Sequence, residues 1–136
     1  MKNKMNGFSL IEILITVAIV GILATIAYPS YLLQMQKSRR TDGTLTLLDI
    51  QAQLERCYVR TLSYKACEQQ LTLPIISPEA YYRITMSNSS ETGIYTLTAT
   101  GINIQTEDFS CAEFSINQLG QRSAKNNQGG NSEQCW

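Results

Sequence analysis

The chain has 136 residues, 43% of them apolar and 16% charged, with eleven Lys+Arg set against eleven Asp+Glu. That length suits one domain with an appendage, and a formal charge of zero supplies no net field to draw the molecule toward a polyanion. There is no histidine, so imidazole-based triads, His metal ligands and histidine pH switches are excluded.

The chain opens Met1-Lys-Asn-Lys-Met-Asn-Gly7 and then turns apolar, with Glu12 the only charge from Phe8 to Tyr28 and none at all from Ile13 to Gln36. About 20 apolar residues cross a bilayer. A secretory signal peptide is the first alternative, but its apolar core is usually shorter, about 7 to 15 residues, and it carries no carboxylate in its first turn. A plain single-pass anchor explains the length and leaves Glu12 unexplained. A carboxylate within a span costs on the order of 2 to 3 kcal/mol unless it has a partner or lies near the interface. Cleavage after Gly7 would place a new α-ammonium on Phe8, four residues from Glu12 and on the same helical face. The same pairing could form between neighbouring helices, which would make the anchor an assembly element.

Beyond Pro29 the pattern becomes amphipathic. Leu47, Ile50, Leu54 and Tyr58 form one stripe, flanked by Leu45, Leu48 and Ala52, while Thr44, Asp49, Gln51, Gln53, Glu55 and Arg56 lie opposite. A single helix from Phe8 to about Tyr58 is expected, apolar first and amphipathic later, with Thr41-Asp42-Gly43 as a point of break or bend. Residues 59–80 carry Pro74 and Pro78 and read as a long connecting loop. Strands are expected at Tyr81 to Met86, Ile94 to Ala99 and Phe109 to Ile116, with a short fourth at Gln121 to Ala124. Ser87 to Gly93 and Asn117 to Gly120 read as turns. The whole is α+β: a long N-terminal helix packed on a small antiparallel sheet of three to four strands.

All four cysteines, Cys57, Cys67, Cys111 and Cys135, follow the apolar run. Their even number and the absence of close C-x-x-C pairs favour two disulfides in an oxidising compartment over zinc. Three connectivities are open. Nearest neighbours along the chain give Cys57–Cys67 and Cys111–Cys135, the second closing a loop of about 25 residues worth roughly 3 kcal/mol on the chain-entropy model. Local positive charge does not decide topology, because Lys37, Arg39 and Arg40 after the span outnumber Lys2 and Lys4 before it; the cysteines require the C-terminal part outside the cytoplasm. Phosphate-cradling glycine motifs are absent, as is any nucleophile beside a histidine base, so no catalytic residue, cofactor or metal is expected.

Gly7-Phe8-Ser9-Leu10-Ile11-Glu12, after a short basic leader and before a long apolar run, resembles the processing site of type IV pilins and of the related pseudopilins of type II secretion. The resemblance implies that residues 1–7 are a leader removed by a prepilin peptidase, that Phe8 is methylated and that Glu12 docks the subunit in a filament. It implies 8–36 as the transmembrane and assembly helix, loosening or bending on assembly at Gly21 and Pro29, and 37–136 as the periplasmic or extracellular domain. The disulfide-closed C-terminal loop and the ending Asn117 to Arg122 with Cys135-Trp136 are most similar to PilE-like minor pilins.

The function implied is that of a structural subunit, stored in a bacterial inner membrane with its N-terminus inside and polymerised into an extracellular pilus. Its implied partners are other pilin subunits, the peptidase, the inner-membrane assembly machinery and membrane lipid, and its implied roles are twitching motility, adhesion or DNA uptake. A secretion pseudopilin is the first alternative; the pair Glu107-Asp108 is a poor signal for the calcium site of such proteins. A DNA- or surface-binding minor pilin is the second, for which Lys65, Arg83, Arg122 and Lys125 would have to be gathered by the fold. Loss of the leader leaves nine basic residues against eleven acidic ones, which favours a solvated surface instead. The sequon at Asn88-Ser-Ser90 is a three-residue match of little weight.

Overall fold

A computed structural model describes residues 7–89 and 94–136; residues 1–6 of the expected leader and most of the expected Ser87 to Gly93 turn, including the end of the sequon, lie outside the described residues. Two compact units result, one ending at Met35 and the other running from Gln36 to Trp136. The order of elements is helix α1 (Leu10–Thr61), helix α2 (Tyr64–Leu71), and strands β1 (Ile75–Ile76), β2 (Tyr82–Ser89), β3 (Ile94–Gly101), β4 (Glu113–Asn117) and β5 (Arg122–Lys125).

In the first unit, α1 exposes its apolar side chains on every face, Leu10, Ile15, Val20, Leu23 and Ile26 among them. A helix that is apolar all round suits a hydrocarbon surround. Its polar groups are turned inward: the Thr16 hydroxyl donates to the Ile13 carbonyl at 2.8 Å and Thr25 to Ile22 at 2.7 Å, so neither hydroxyl is left unpaired. The helix continues through Pro29. Proline has no N–H, so the Thr25 carbonyl receives no helical hydrogen bond from that position.

In the second unit a five-stranded antiparallel meander, ordered β1-β2-β3-β4-β5, packs its inner face on the amphipathic part of α1. Alternation decides that face: Tyr82 and Ile84, then Tyr95, Leu97 and Ala99, then Phe114 and Ile116 are buried with Leu47, Ile50 and Leu54 of the helix. The other face carries hydroxyls in register, Thr85 opposite Thr98, Thr98 opposite Ser115 and Ser115 opposite Ser123.

Several expectations need correction. The helix does not break at Thr41-Asp42-Gly43. Gly43 is buried there because a Cβ would lie 2.7 Å from both the Phe114 and Tyr82 rings, so glycine lets helix and sheet approach. The Asp42 carboxylate accepts from the Ser77 hydroxyl and from the Glu79 N–H. Residues 59–80 are not one loop but contain α2 and β1. Ser63 caps α2 by accepting from the Ala66 N–H, and Thr72 ends it in the left-handed conformation. The third expected strand starts later, at Glu113, because Asn103–Glu107 forms a 3-10 turn and Phe109 is exposed; Cys111 therefore precedes the strand. Gln51 and Glu55, on the side opposite the apolar stripe, are half-buried and bond to the sheet.

Disulfides join Cys57 to Cys67 and Cys111 to Cys135. The first ties the end of α1 to α2. The second fastens the polar tail, which turns at Asn126 to Gly130 and pairs Asn131 with Lys125 before reaching Cys135.

Candidate functional site

The first unit places the residues singled out by the sequence on an unobstructed rod. Gly7, Phe8 and Ser9 precede the helix, and Phe8 is exposed. Glu12 lies in the first turn, where the N-terminal end of the helix dipole favours a negative charge. It has no ion-pair partner among the described residues. Gly21 has nothing within 4 Å of where a Cβ would stand. The described residues of the unit thus offer an apolar surface and one carboxylate with no ion-pair partner among them, an arrangement fitted to contact with other helices.

In the second unit the amphipathic stretch of α1 is locked by two polar clusters that sequence reasoning missed. Arg40 donates to Asp108 from Nε at 2.7 Å and from Nη2 at 2.9 Å, and the Asp108 side chain is 1% exposed. Gln105 bridges the same carboxylate at 2.9 Å and the Tyr82 hydroxyl at 2.9 Å. Of the pair Glu107-Asp108, the buried Asp108 carboxylate is thus spanned by a guanidinium, and among the described residues no three His, Cys, Asp or Glu side chains are grouped as metal ligands would be. Burial pushes the Tyr82 hydroxyl upward, Gln105 opposes that, and the Asp108 charge adds to it.

The second cluster centres on Glu55. Its carboxylate accepts from Tyr95 at 2.9 Å and from Tyr64 at 3.2 Å, while Tyr64 stacks on Tyr58 and meets Tyr95 edge-on. Burial raises the Tyr64 hydroxyl to about 12, and the Glu55 charge contributes. Tyr95 rises as well, through burial first, then the hydrogen bond to Glu55 and then the Glu55 charge. No local spacing announces either cluster: Arg40 and Asp108 are 68 residues apart, and Glu55 and Tyr95 are 40 apart.

The four cations that a basic patch would require are not gathered, in keeping with the solvated surface favoured by the charge balance. Arg83 and Lys125 share the outer face in one row, separated by Thr100 and Glu113, and Glu113 pairs with Lys125 at 3.4 Å. Arg122 lies over the Trp136 ring instead, 4.9 Å from its centroid, and Lys65 stands on α2. Arg56 and Arg60 line an open groove of about 690 Å3 with Gln53 and Gln70, and neither has an ion pair among the described residues.

A long helix, apolar first and then seated on an antiparallel meander with a disulfide-fastened tail, is the architecture of a type IV pilin. A type IV pilin from Shewanella oneidensis shares it, with a TM-score of 0.50 and 24% identity over 64% of this chain and 89% of that one. Residues 2–28 match the prokaryotic N-terminal methylation motif. Residues 29–115 match the family described as type IV minor pilin ComP, DNA uptake sequence receptor, and the chain belongs to that family. Type II secretion system core protein G of Klebsiella michiganensis is 28% identical over 85 residues, 60% of each chain. Type IV major fimbrial protein FimA of Dichelobacter nodosus is 46% identical over 43 residues, 32% of this chain and 27% of its own. The chain thus spans less than two thirds of the length of these curated relatives.

Proposed function

We propose that this minor pilin is held in the bacterial inner membrane by residues 8–36, with its N-terminus inside and its globular unit outside, and is then transferred into a pilus. A prepilin peptidase cuts after Gly7 and Phe8 is methylated. Glu12 meets the N-terminal ammonium of a neighbouring subunit, and Gly21 and Pro29 supply the weak stretch of helix that adjusts during transfer. The observation that carries this reading is the exposed apolar rod whose single carboxylate has no ion-pair partner among the described residues. Subunit helices would replace lipid around it, and one charge pair would fix the axial offset. The Leu45, Leu48 and Val59 side chains, exposed on α1 of the globular unit, extend the apolar surface available to neighbouring subunits. No catalysis is ascribed to the chain.

The family description supports a second activity, reception of DNA during uptake. Arg56 and Arg60, exposed, lining one groove and outside the ion pairs among the described residues, are the residues we assign to phosphate contact. The test is affinity of the full chain in detergent for duplex DNA across a salt series. A linear fall of log K with log salt, steeper by about 0.9 for each phosphate contacted, is expected. Undetectable binding at low salt contradicts the DNA reading and leaves the filament reading to its own test. A secretion pseudopilin, favoured by the likeness to core protein G, would be absent from sheared surface pili.

A further inference from the structure

A cleft of about 260 Å3 opens beside the first turns of the globular unit, lined among others by Lys37, Arg40, Thr41, Gln134 and Trp136. No Asp or Glu side chain lines it. Arg40 is already spent on Asp108 and reaches the Gln134 carbonyl with Nη1 at 3.4 Å. Lys37 is different: it is exposed and has no ion pair among the described residues. Lys37 and Thr41, four apart, present an ammonium and a hydroxyl on one helix face, and Trp136 forms an amphipathic wall beside them.

Sequence position indicates what such a cleft meets. Lys37 is the first charged residue after the uncharged stretch 13–36, where a membrane-spanning helix reaches the headgroup layer. Tyr28 and Tyr31, both exposed, precede it as interfacial aromatic residues do. We propose that, while the chain is stored in the membrane, this cleft takes the phosphate of an anionic phospholipid headgroup, with Lys37 as countercharge and the Thr41 hydroxyl as donor. The proposal rests on the membrane-anchored reading and is independent of DNA binding. It gives the stored subunit a headgroup contact that must be released before the subunit enters a filament.

Trp136 is the only tryptophan, so its fluorescence reports on the cleft directly. The full chain is placed in nanodiscs of phosphatidylcholine with increasing phosphatidylglycerol, and the Trp136 emission is followed. A saturable shift is expected. Lys37→Gln should require about five times more phosphatidylglycerol for the same response, the loss of one surface cation near charged lipid. Lys125→Gln, on the sheet face, should respond as the parent does. Emission indifferent to phosphatidylglycerol, or an equal response from Lys37→Gln, overturns the proposal. So does an equal shift from inorganic phosphate in phosphatidylcholine discs, which would identify a free-anion site instead. A chain that fails to enter discs at all contradicts the anchor reading itself, and with it this inference.

Discussion

Arg40 and Asp108 face each other through two hydrogen bonds in the interior of the globular unit, joining α1 to the segment that leads into β4. A buried charge pair adds little beyond what an apolar pair would, but removing one partner strands the other at a cost of about 3 to 5 kcal/mol. Arg40→Met should lower stability by that amount in denaturant unfolding followed by Trp136 fluorescence. The double change Arg40→Met with Asp108→Leu should recover much of the loss. A single change costing under about 1 kcal/mol would mean that Asp108 finds water once Arg40 is gone.

Gly43 is a second test of the same packing. Alanine would raise helix propensity by about 1 kcal/mol, so on local grounds Gly43→Ala should stabilise. The Phe114 and Tyr82 rings leave no room for the added Cβ, and overpacking of this kind costs about 1 to 3 kcal/mol. Net destabilisation is expected. A raised unfolding midpoint would show that the two rings can move aside.

Alkaline pH should weaken the globular unit. Tyr64, Tyr82 and Tyr95 have hydroxyls raised above 10 in the fold, so between about 10 and the folded values the unfolded chain releases protons that the folded chain retains. Their contribution is therefore complete below pH 10 and is lost as pH rises above it. Unfolding midpoints should be level up to about pH 9 and fall beyond pH 10. Tyr95→Phe should flatten that fall, and an unchanged slope would contradict the role given to the Glu55 cluster.

Glu12→Gln keeps the size of the side chain and removes its charge. Processing after Gly7 should persist, because the Gly7-Phe8 bond is untouched, while the amount recovered in sheared pili should drop at least tenfold if the docking pair is worth about 1.4 kcal/mol or more. Normal recovery would remove Glu12 from assembly.

Much of this architecture was legible in the sequence because it is periodic. The uncharged stretch 13–36, the stripe through Leu47, Ile50 and Leu54, and the alternating strands each report their own surroundings. Short elements were not legible: α2 and β1 hide among Pro74, Pro78 and polar residues, and their local signals are a single Ser63 cap and two isoleucines. Asp42-Gly43 was misread because propensity favours a break there, whereas tertiary contact makes the glycine a close-packing position and the aspartate an acceptor for Ser77. The Arg40–Asp108 pair and the Glu55 cluster had no sequence signal, since residues far apart in the chain are joined only by the folded sheet. The disputed basic patch failed for the same reason in reverse: strand register separates Arg83 from Lys125, and Trp136 occupies Arg122.

The most direct test of the central claim is the intact mass and N-terminal sequence of the protein recovered from its native membrane and from sheared surface filaments. A chain beginning at methylated Phe8 in both fractions is predicted. A chain that retains Met1 to Gly7, or one that begins near Tyr28, would contradict it.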